Sequence, residues 1–207
     1  MVRKTKQKAQ ETRNGILDAA VRIFAVKGVA RASLDDIARE AGVTRGAIYW
    51  HFANKADLLN TLWDQVQQCY APLAQASEAP DELDPLGKMK DLYLAFFSGL
   101  VEDQRMQQLF LLLFDDSDRS KETRAIRLRH AQIRLERLQG LQATLDNAKK
   151  KGQLPPELDV RLGAISVLIF IYGLIASWIM TPDLFDIQRD GGQFIDAMIQ
   201  MLRTGFQ

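Results

Sequence analysis

Residues 33 to 55, SLDDIAREAGVTRGAIYWHFANK, constrain the fold more than any other stretch of the chain. Ser33 stands before Leu34 with Asp36 at the third helical position, so hydroxyl and carboxylate can cap a helix start reciprocally. Leu34, Ile37, Ala38 and Ala41 recur at the i, i+3, i+4, i+7 spacing of one buried stripe. Gly42 ends that short helix, because a residue tolerant of positive φ closes it cheaply. Val43 plugs the corner, and Thr44 caps a second helix whose core contacts are Ile48 and Phe52. Two short helices joined by a tight glycine turn make a helix-turn-helix.

The outer face of the second helix is unusual. At 100° per residue Gly46, Tyr49 and Trp50 point away from Ile48, with Arg45 on the flank. A solvated helix offers Glu and Lys there; a glycine, two aromatics and an arginine suit DNA. Gly46 permits close approach to the groove floor, Arg45 reaches base edges, and Tyr49 and His51 donate to phosphates. Lys55 and the Asn54-capped start of the next helix add positive potential on the same side. The competing interpretation is a purely structural helical hairpin.

The segment SLDDIAREAGVTRGAIYWHFANKADL resembles the DNA-binding segment of the TetR family of transcriptional repressors. The opening RKTKQKAQETRNGILDAAVRIF and the stretches SEAPDELDPLGKM and GQLPPELD resemble the branch that represses multidrug efflux pumps. The resemblance is strong over the first quarter and thinner beyond. It implies an N-terminal three-helix DNA-binding domain, with Ser33 and Thr44 in the interface beside the residues above. It also implies dimerisation through the last two helices and a cavity for diverse lipophilic compounds.

Charge is distributed to match. Over 207 residues the net charge is only +1. Residues 1 to 55 nevertheless hold 11 Lys/Arg against 5 Asp/Glu, a balance of +6, and the remainder holds 16 against 21, a balance of −5. A basic head on an acidic body is the footprint of nucleic-acid binding. Residues 1 to 9, with Arg3, Lys4, Lys6 and Lys8, have nothing to bury and are expected to form a mobile basic arm that tracks DNA. The single Cys69 suits a reducing cytoplasm, and no apolar core with a cleavage site follows the basic N-terminus. With only His51 and His130, neither a metal site nor a cofactor is expected.

The rest of the chain reads as helix, giving an all-α protein of about nine helices. The division is a DNA-binding domain over 1–55 and a ligand-binding and dimerisation domain over 56–207. Gly28 closes helix 1 after Leu17, Ala20, Val21 and Phe24. Helix 4 starts after Asn54 and runs towards Ser77 with Pro72 inside it, so it belongs to both halves. Asp84-Pro85 is a cap and proline start for helix 5. Helix 6 ends at the acidic DDSD loop, and helix 7 spans about Lys121 to Lys151. Helix 8, with its core AISVLIFIYGLIASWIM, is apolar nearly all round. Its 17-residue apolar run, interrupted by Ser166, Gly173 and Ser177, is expected to fall short of a membrane span and to be covered by protein instead. Helices 8 and 9 together carry more apolar surface than one small body covers, so a two-fold homodimer is expected. Such a dimer would read a palindromic double-stranded operator.

A ligand cavity is expected among large side chains of helices 4 to 8. Helix 4 supplies Trp63, Val66 and Tyr70, and helix 5 supplies Met89, Tyr93 and Phe96. Helix 6 gives Phe110 and Phe114, helix 7 gives Leu141, and helix 8 gives Leu168, Phe170 and Tyr172. Phe110 and Phe114 offer no hydrogen bond. Arg134 and Arg137 are the nearest polar candidates, although a solvated face is the favoured place for each. No nucleophile with a base, paired carboxylates or metal cluster points to an enzyme. The expectation is therefore a ligand-responsive DNA-binding repressor, and the resemblance implies a multidrug efflux operon as its target. The alternatives are an activator, a repressor of an unrelated operon, or a helical small-molecule-binding protein or enzyme with a vestigial DNA-binding head.

Overall fold

The computed structural model describes residues 2–114 and 121–205, with the side chains of 2–5, 121–123, 125 and 126 outside that description. Among the described residues the chain is helical throughout. The elements are α1 (Val2–Arg31), α2 (Leu34–Glu40), α3 (Arg45–His51), α4 (Lys55–Glu78) and α5 (Pro85–Glu102). They continue with α6 (Gln104–Phe114), α7 (Lys121–Lys150), α8 (Val160–Met180) and α9 (Ile187–Thr204). A 3₁₀ turn at Pro182–Leu184 precedes α9. The acidic loop expected after α6 lies outside the described residues.

Two compact units emerge: Met1–Val66 with Arg105–His130, and Gln67–Gln104 with Ala131–Gln207. Both α4 and α7 run through the two units, so neither unit is one continuous stretch, and residue 55 lies within the first.

The first unit buries Ile16, Leu17, Ala20 and Phe24 of α1, Ile37 and Ala38 of α2, Ile48 of α3, and Leu58, Leu59 and Leu62 of α4. Gly28 breaks α1 with φ 72° and ψ 160°, values that only glycine adopts without strain. The N-terminal residues expected to be a mobile arm instead continue α1 from Val2. The reason is local. Residues 2 to 14 contain no Gly or Pro, and Gln7 donates to Glu11 and Gln10 to Asn14 at i, i+4 spacing.

In the second unit Asp84 caps α5 by accepting from the Gly87 amide at 2.9 Å. Leu141, Leu145 and Ala148 form the buried face of α7. The end of α4 is clamped to α7 by polar groups. Ser77 and Thr144 hydroxyls meet at 3.2 Å in the interior, and the Asn147 side-chain amide donates to the carbonyls of Glu78 (3.0 Å) and Ala79 (3.1 Å). These bonds satisfy carbonyls that a helix end otherwise leaves open.

α8 overturns one expectation. Its 21 residues are long and apolar enough to cross a bilayer, and only 33% of its most apolar window is buried. The interruptions at Ser166, Gly173 and Ser177 do not shorten it, since small residues sit in a helix without breaking it. One face, with Ala164, Val167, Leu168, Ile171 and Ile175, is buried, whereas Leu162, Ile169 and Met180 are exposed. α9 differs from α8. Ile187, Ile195, Met198, Ile199 and Leu202 are all buried, leaving Met201 as its large exposed hydrophobic residue. The uncovered apolar surface is therefore mostly that of α8, not shared equally between the two.

Candidate functional site

In the helix-turn-helix the Ser33 hydroxyl accepts from the Asp36 amide, while the Asp36 carboxylate accepts from the Ser33 amide, both at 3.1 Å. Ser33 also donates its hydroxyl proton to Asp36 at 2.8 Å, so this side chain is fully engaged in capping α2. Lys27 pairs with the same carboxylate at 2.7 Å. Lys27 and then Ser33 hold the Asp36 pKa down to about 2. Gly42, at φ 65°, turns the chain, and Val43 donates back to the Ala38 carbonyl at 3.0 Å. Thr44 caps α3 by accepting from the Ala47 amide at 3.2 Å. With Ile48 and Phe52 buried on the inner side, the opposite face of α3 is committed to the outside.

That outer face presents Tyr49 and Trp50 at 49% and 74% exposure. Arg45 donates to Asp35 at 3.1 Å and to the Tyr49 hydroxyl at 3.2 Å, and its guanidinium lies 5.5 Å from the Tyr49 ring centre. Those partners, Tyr49 first, raise the pKa of Arg45 above its ordinary value. Asp35 is the member of this group that the sequence did not announce: it is ten residues away, across the turn, with no periodic relation to Arg45. Trp50 meets His51 edge-on at 4.4 Å. Burial, then the nearby Arg13, lowers the pKa of His51.

Gly46 is the most informative position. A Cβ there would meet nothing nearer than the Thr44 hydroxyl oxygen at 3.9 Å. Glycine in a helix costs about 0.5–1 kcal/mol relative to alanine, and no crowding within the chain requires it here. A close approach by an external surface would.

Lys55 is placed differently from its expected role. Its ammonium donates to the carbonyls of Val29 (2.9 Å) and Ala30 (3.2 Å), tying the end of α1 to the start of α4. Lys6 is exposed on α1. Arg3 and Lys4 belong to the same helix, with side chains outside the described residues.

The expected ligand-binding side chains fall into both units. In the first, Trp63 packs edge-on against Phe110 at 5.1 Å, with His130 at 5.4 Å from Trp63 and Phe114 at 6.2 Å from Phe110. Val66 and Phe114 are half-buried. In the second, Tyr70 stacks at a tilt on Phe96 at 5.0 Å, and burial raises its pKa. Met89, Leu141 and Leu168 belong to the hydrophobic core, and Phe170 is half-buried.

The polar groups of the second unit gather around α7. Arg134 is exposed, with its guanidinium 4.7 Å from the Tyr172 ring. Arg137 is not on a solvated face: its side chain is 21% exposed and pairs with Glu78 at 3.1 Å. It sits 5.8 Å from the Tyr93 ring centre, and its buried Nη2 has no hydrogen-bond partner among the described residues. Burial pushes Tyr172 up to about 12 against the opposing influence of Arg134, so the phenol keeps its proton at neutral pH.

Known proteins show the same pattern over nearly the whole length. Residues 16–62 match the model of bacterial regulatory proteins of the tetR family, and residues 84–204 match that of the C-terminal region of MAATS-type transcriptional repressors. The HTH-type transcriptional regulator TtgR of Pseudomonas putida is 43% identical over 98% of this chain and 97% of its own. The crystal structure of NalD, the secondary repressor of the MexAB-OprM multidrug efflux pump in Pseudomonas aeruginosa, superposes with a TM-score of 0.81. It is 30% identical, covering 94% of this chain and 96% of that one. The SmeT–triclosan complex gives a TM-score of 0.81 at 30% identity, over 92% of this chain and 90% of that one. SmeT is the repressor of the Stenotrophomonas maltophilia multidrug efflux pump SmeDEF.

Proposed function

The chain belongs to the TetR family of bacterial regulatory proteins, and from that premise we propose that it represses a multidrug efflux operon and leaves its operator when a lipophilic compound binds its C-terminal region. The observation that carries this reading is the outer face of α3. Gly46 has room for a side chain and lacks one, between a charged Arg45 and the exposed rings of Tyr49 and Trp50. Efflux repression is supported by NalD and SmeT, and a small-molecule effector by the triclosan bound to SmeT.

The functional division follows the same line: residues 1–55 read DNA and residues 56–207 bind the effector and pair the subunits. Leu162, Ile169, Gly173 and Met180 lie along one side of α8 at spacings of seven, four and seven, the seam of a helix packed against another helix. A second copy of the chain, rather than lipid, covers that seam. The homodimer matches a palindromic operator whose half-sites lie about 34–36 Å apart, or a multiple. In this reading the protein is cytoplasmic, works on DNA without enzymatic chemistry, and uses Arg45 for bases and Tyr49, Trp50 and His51 for the backbone. Arg3, Lys4 and Lys6 add phosphate contacts from the end of α1.

The test is binding to the DNA flanking the protein's own gene, with and without triclosan as probe. A 100-fold loss of operator affinity corresponds to a coupling of about 2.7 kcal/mol, and saturating operator must then weaken triclosan binding by the same factor. No retardation of that DNA, or equal triclosan affinity with and without it, would overturn the reading.

A further inference from the structure

The second unit contains a charge arrangement that its own residues do not complete. Arg137 sends one guanidinium nitrogen to Glu78 at 3.1 Å and buries another, Nη2, without a hydrogen-bond partner among the described residues. A buried charged donor left unpaired is costly, and such groups are normally satisfied. Around it stand Tyr93, whose ring lies beneath the guanidinium, and Tyr172, whose hydroxyl is within electrostatic reach of Arg134, Arg137 and Tyr93. Two arginines, one carboxylate and two aromatic rings make a site with excess positive charge and flat apolar walls. Its natural complement is an aromatic compound bearing an anionic oxygen.

The carboxylate partner has its own significance. Glu78 is the last residue of α4, and its side chain lies against Gly140, where any Cβ would collide with it. The Arg137–Glu78 pair is thus one of three polar links holding the end of α4 to α7; the others are the Ser77–Thr144 hydroxyl contact and the Asn147 amide on the Glu78 and Ala79 carbonyls. α4 begins at Lys55, four residues after the end of α3.

We propose that Arg137 recognises the carboxylate or phenolate of an aromatic effector through Nη2, and that the incoming anion competes with Glu78 and loosens the end of α4. This deepens the reading of the chain as an effector-released repressor, and rests on it for its consequence at DNA. Tyr172, kept protonated by burial, donates to the same anion, and Arg134 flanks the rings.

Calorimetry on the full chain at pH 7.5, with 2-naphthoate and its uncharged counterpart 2-naphthamide as probes, tests the proposal. Naphthoate is expected to bind at least tenfold more tightly than naphthamide, and Arg137→Gln to abolish that preference. Glu78→Gln, which removes the competitor, is expected to tighten naphthoate several-fold. Should Arg137→Gln fail to fold, Glu78→Gln still decides the matter, because the predicted change is a gain. Equal affinity for the two probes, no saturable naphthoate binding, a preference that survives Arg137→Gln, or no gain in Glu78→Gln overturns the proposal. Operator retardation by the ligand-free wild type is measured in parallel. Failure there, with the naphthoate preference intact, breaks the repressor reading and not the anion site.

Discussion

Each compact unit contains an arginine with a tyrosine and a carboxylate beside it, and the two groups differ mainly in how much water they see. Arg45 pairs with Asp35 and Arg137 with Glu78, both at 3.1 Å. The rings of Tyr49 and Tyr93 lie 5.5 and 5.8 Å from the respective guanidinium centres. The Arg45 side chain is 61% exposed and that of Arg137 only 21%. An exposed ion pair contributes little to stability, so on the proposed reading Arg45 can exchange Asp35 for a base edge or phosphate at small cost. The half-buried Arg137–Glu78 pair is less screened by water, so it is held more firmly and a lost partner leaves the other charge harder to solvate. On the proposed reading, the same three groups make a readout element at the surface and a latch where the pair is half-buried. Solvent, not residue type, separates the roles.

The largest expected effect tests whether the readout element depends on the body at all. Ile169→Glu places a charge in the exposed apolar seam of α8 and leaves every α3 residue untouched. Dimers should disappear in sedimentation, and operator affinity should fall more than 100-fold, about 2.7 kcal/mol. Dimers that persist with full operator affinity would remove the seam from the interface. Next comes Arg45→Ala, expected to weaken operator binding by about 1–3 kcal/mol and relax preference at one base position. Measured at fixed salt against a panel of operator variants, an unchanged affinity would leave Arg45 outside base readout.

Gly46→Ala sharpens the contrast between folding and function. Alanine has space there and favours helix, so denaturant stability should hold or rise by up to about 1 kcal/mol. Operator affinity should nonetheless fall in the same sample; an unaltered affinity would mean that nothing approaches Gly46 closely. The smallest effect concerns Asp36, whose pKa is about 2 rather than the ordinary 3.8. A depressed carboxylate stabilises the folded state above its unfolded pKa, and that contribution fades as pH falls through the folded value. Wild type should therefore lose this contribution between about pH 4 and pH 2, and urea midpoints of Asp36→Asn should lack that component. Parallel pH profiles for the two proteins would detach the capping box from acid stability.

The DNA-reading head was legible in the chain because its determinants are local. Ser33 and Asp36 are three residues apart, Thr44 caps the helix that begins at the next residue, and Gly42 takes the positive φ that its turn requires. Periodicity also separated Ile48 from the exposed Tyr49 and Trp50, and Asp84-Pro85 announced α5. What the sequence left open depends on distance in space. Lys55 reads as one more basic residue until the carbonyls of Val29 and Ala30 come to meet it. α8 reads as apolar all round, and only packing shows which side is covered by its own unit. Arg137 and Arg134, one turn apart on α7, look interchangeable; the approach of Glu78, 59 positions away in the chain, holds one in a half-buried ion pair and leaves the other at the surface. Capping and periodicity act over a few residues and can be read along a chain. Burial, the pairing of remote charges and the unpartnered Nη2 arise only when segments distant in sequence share one interior.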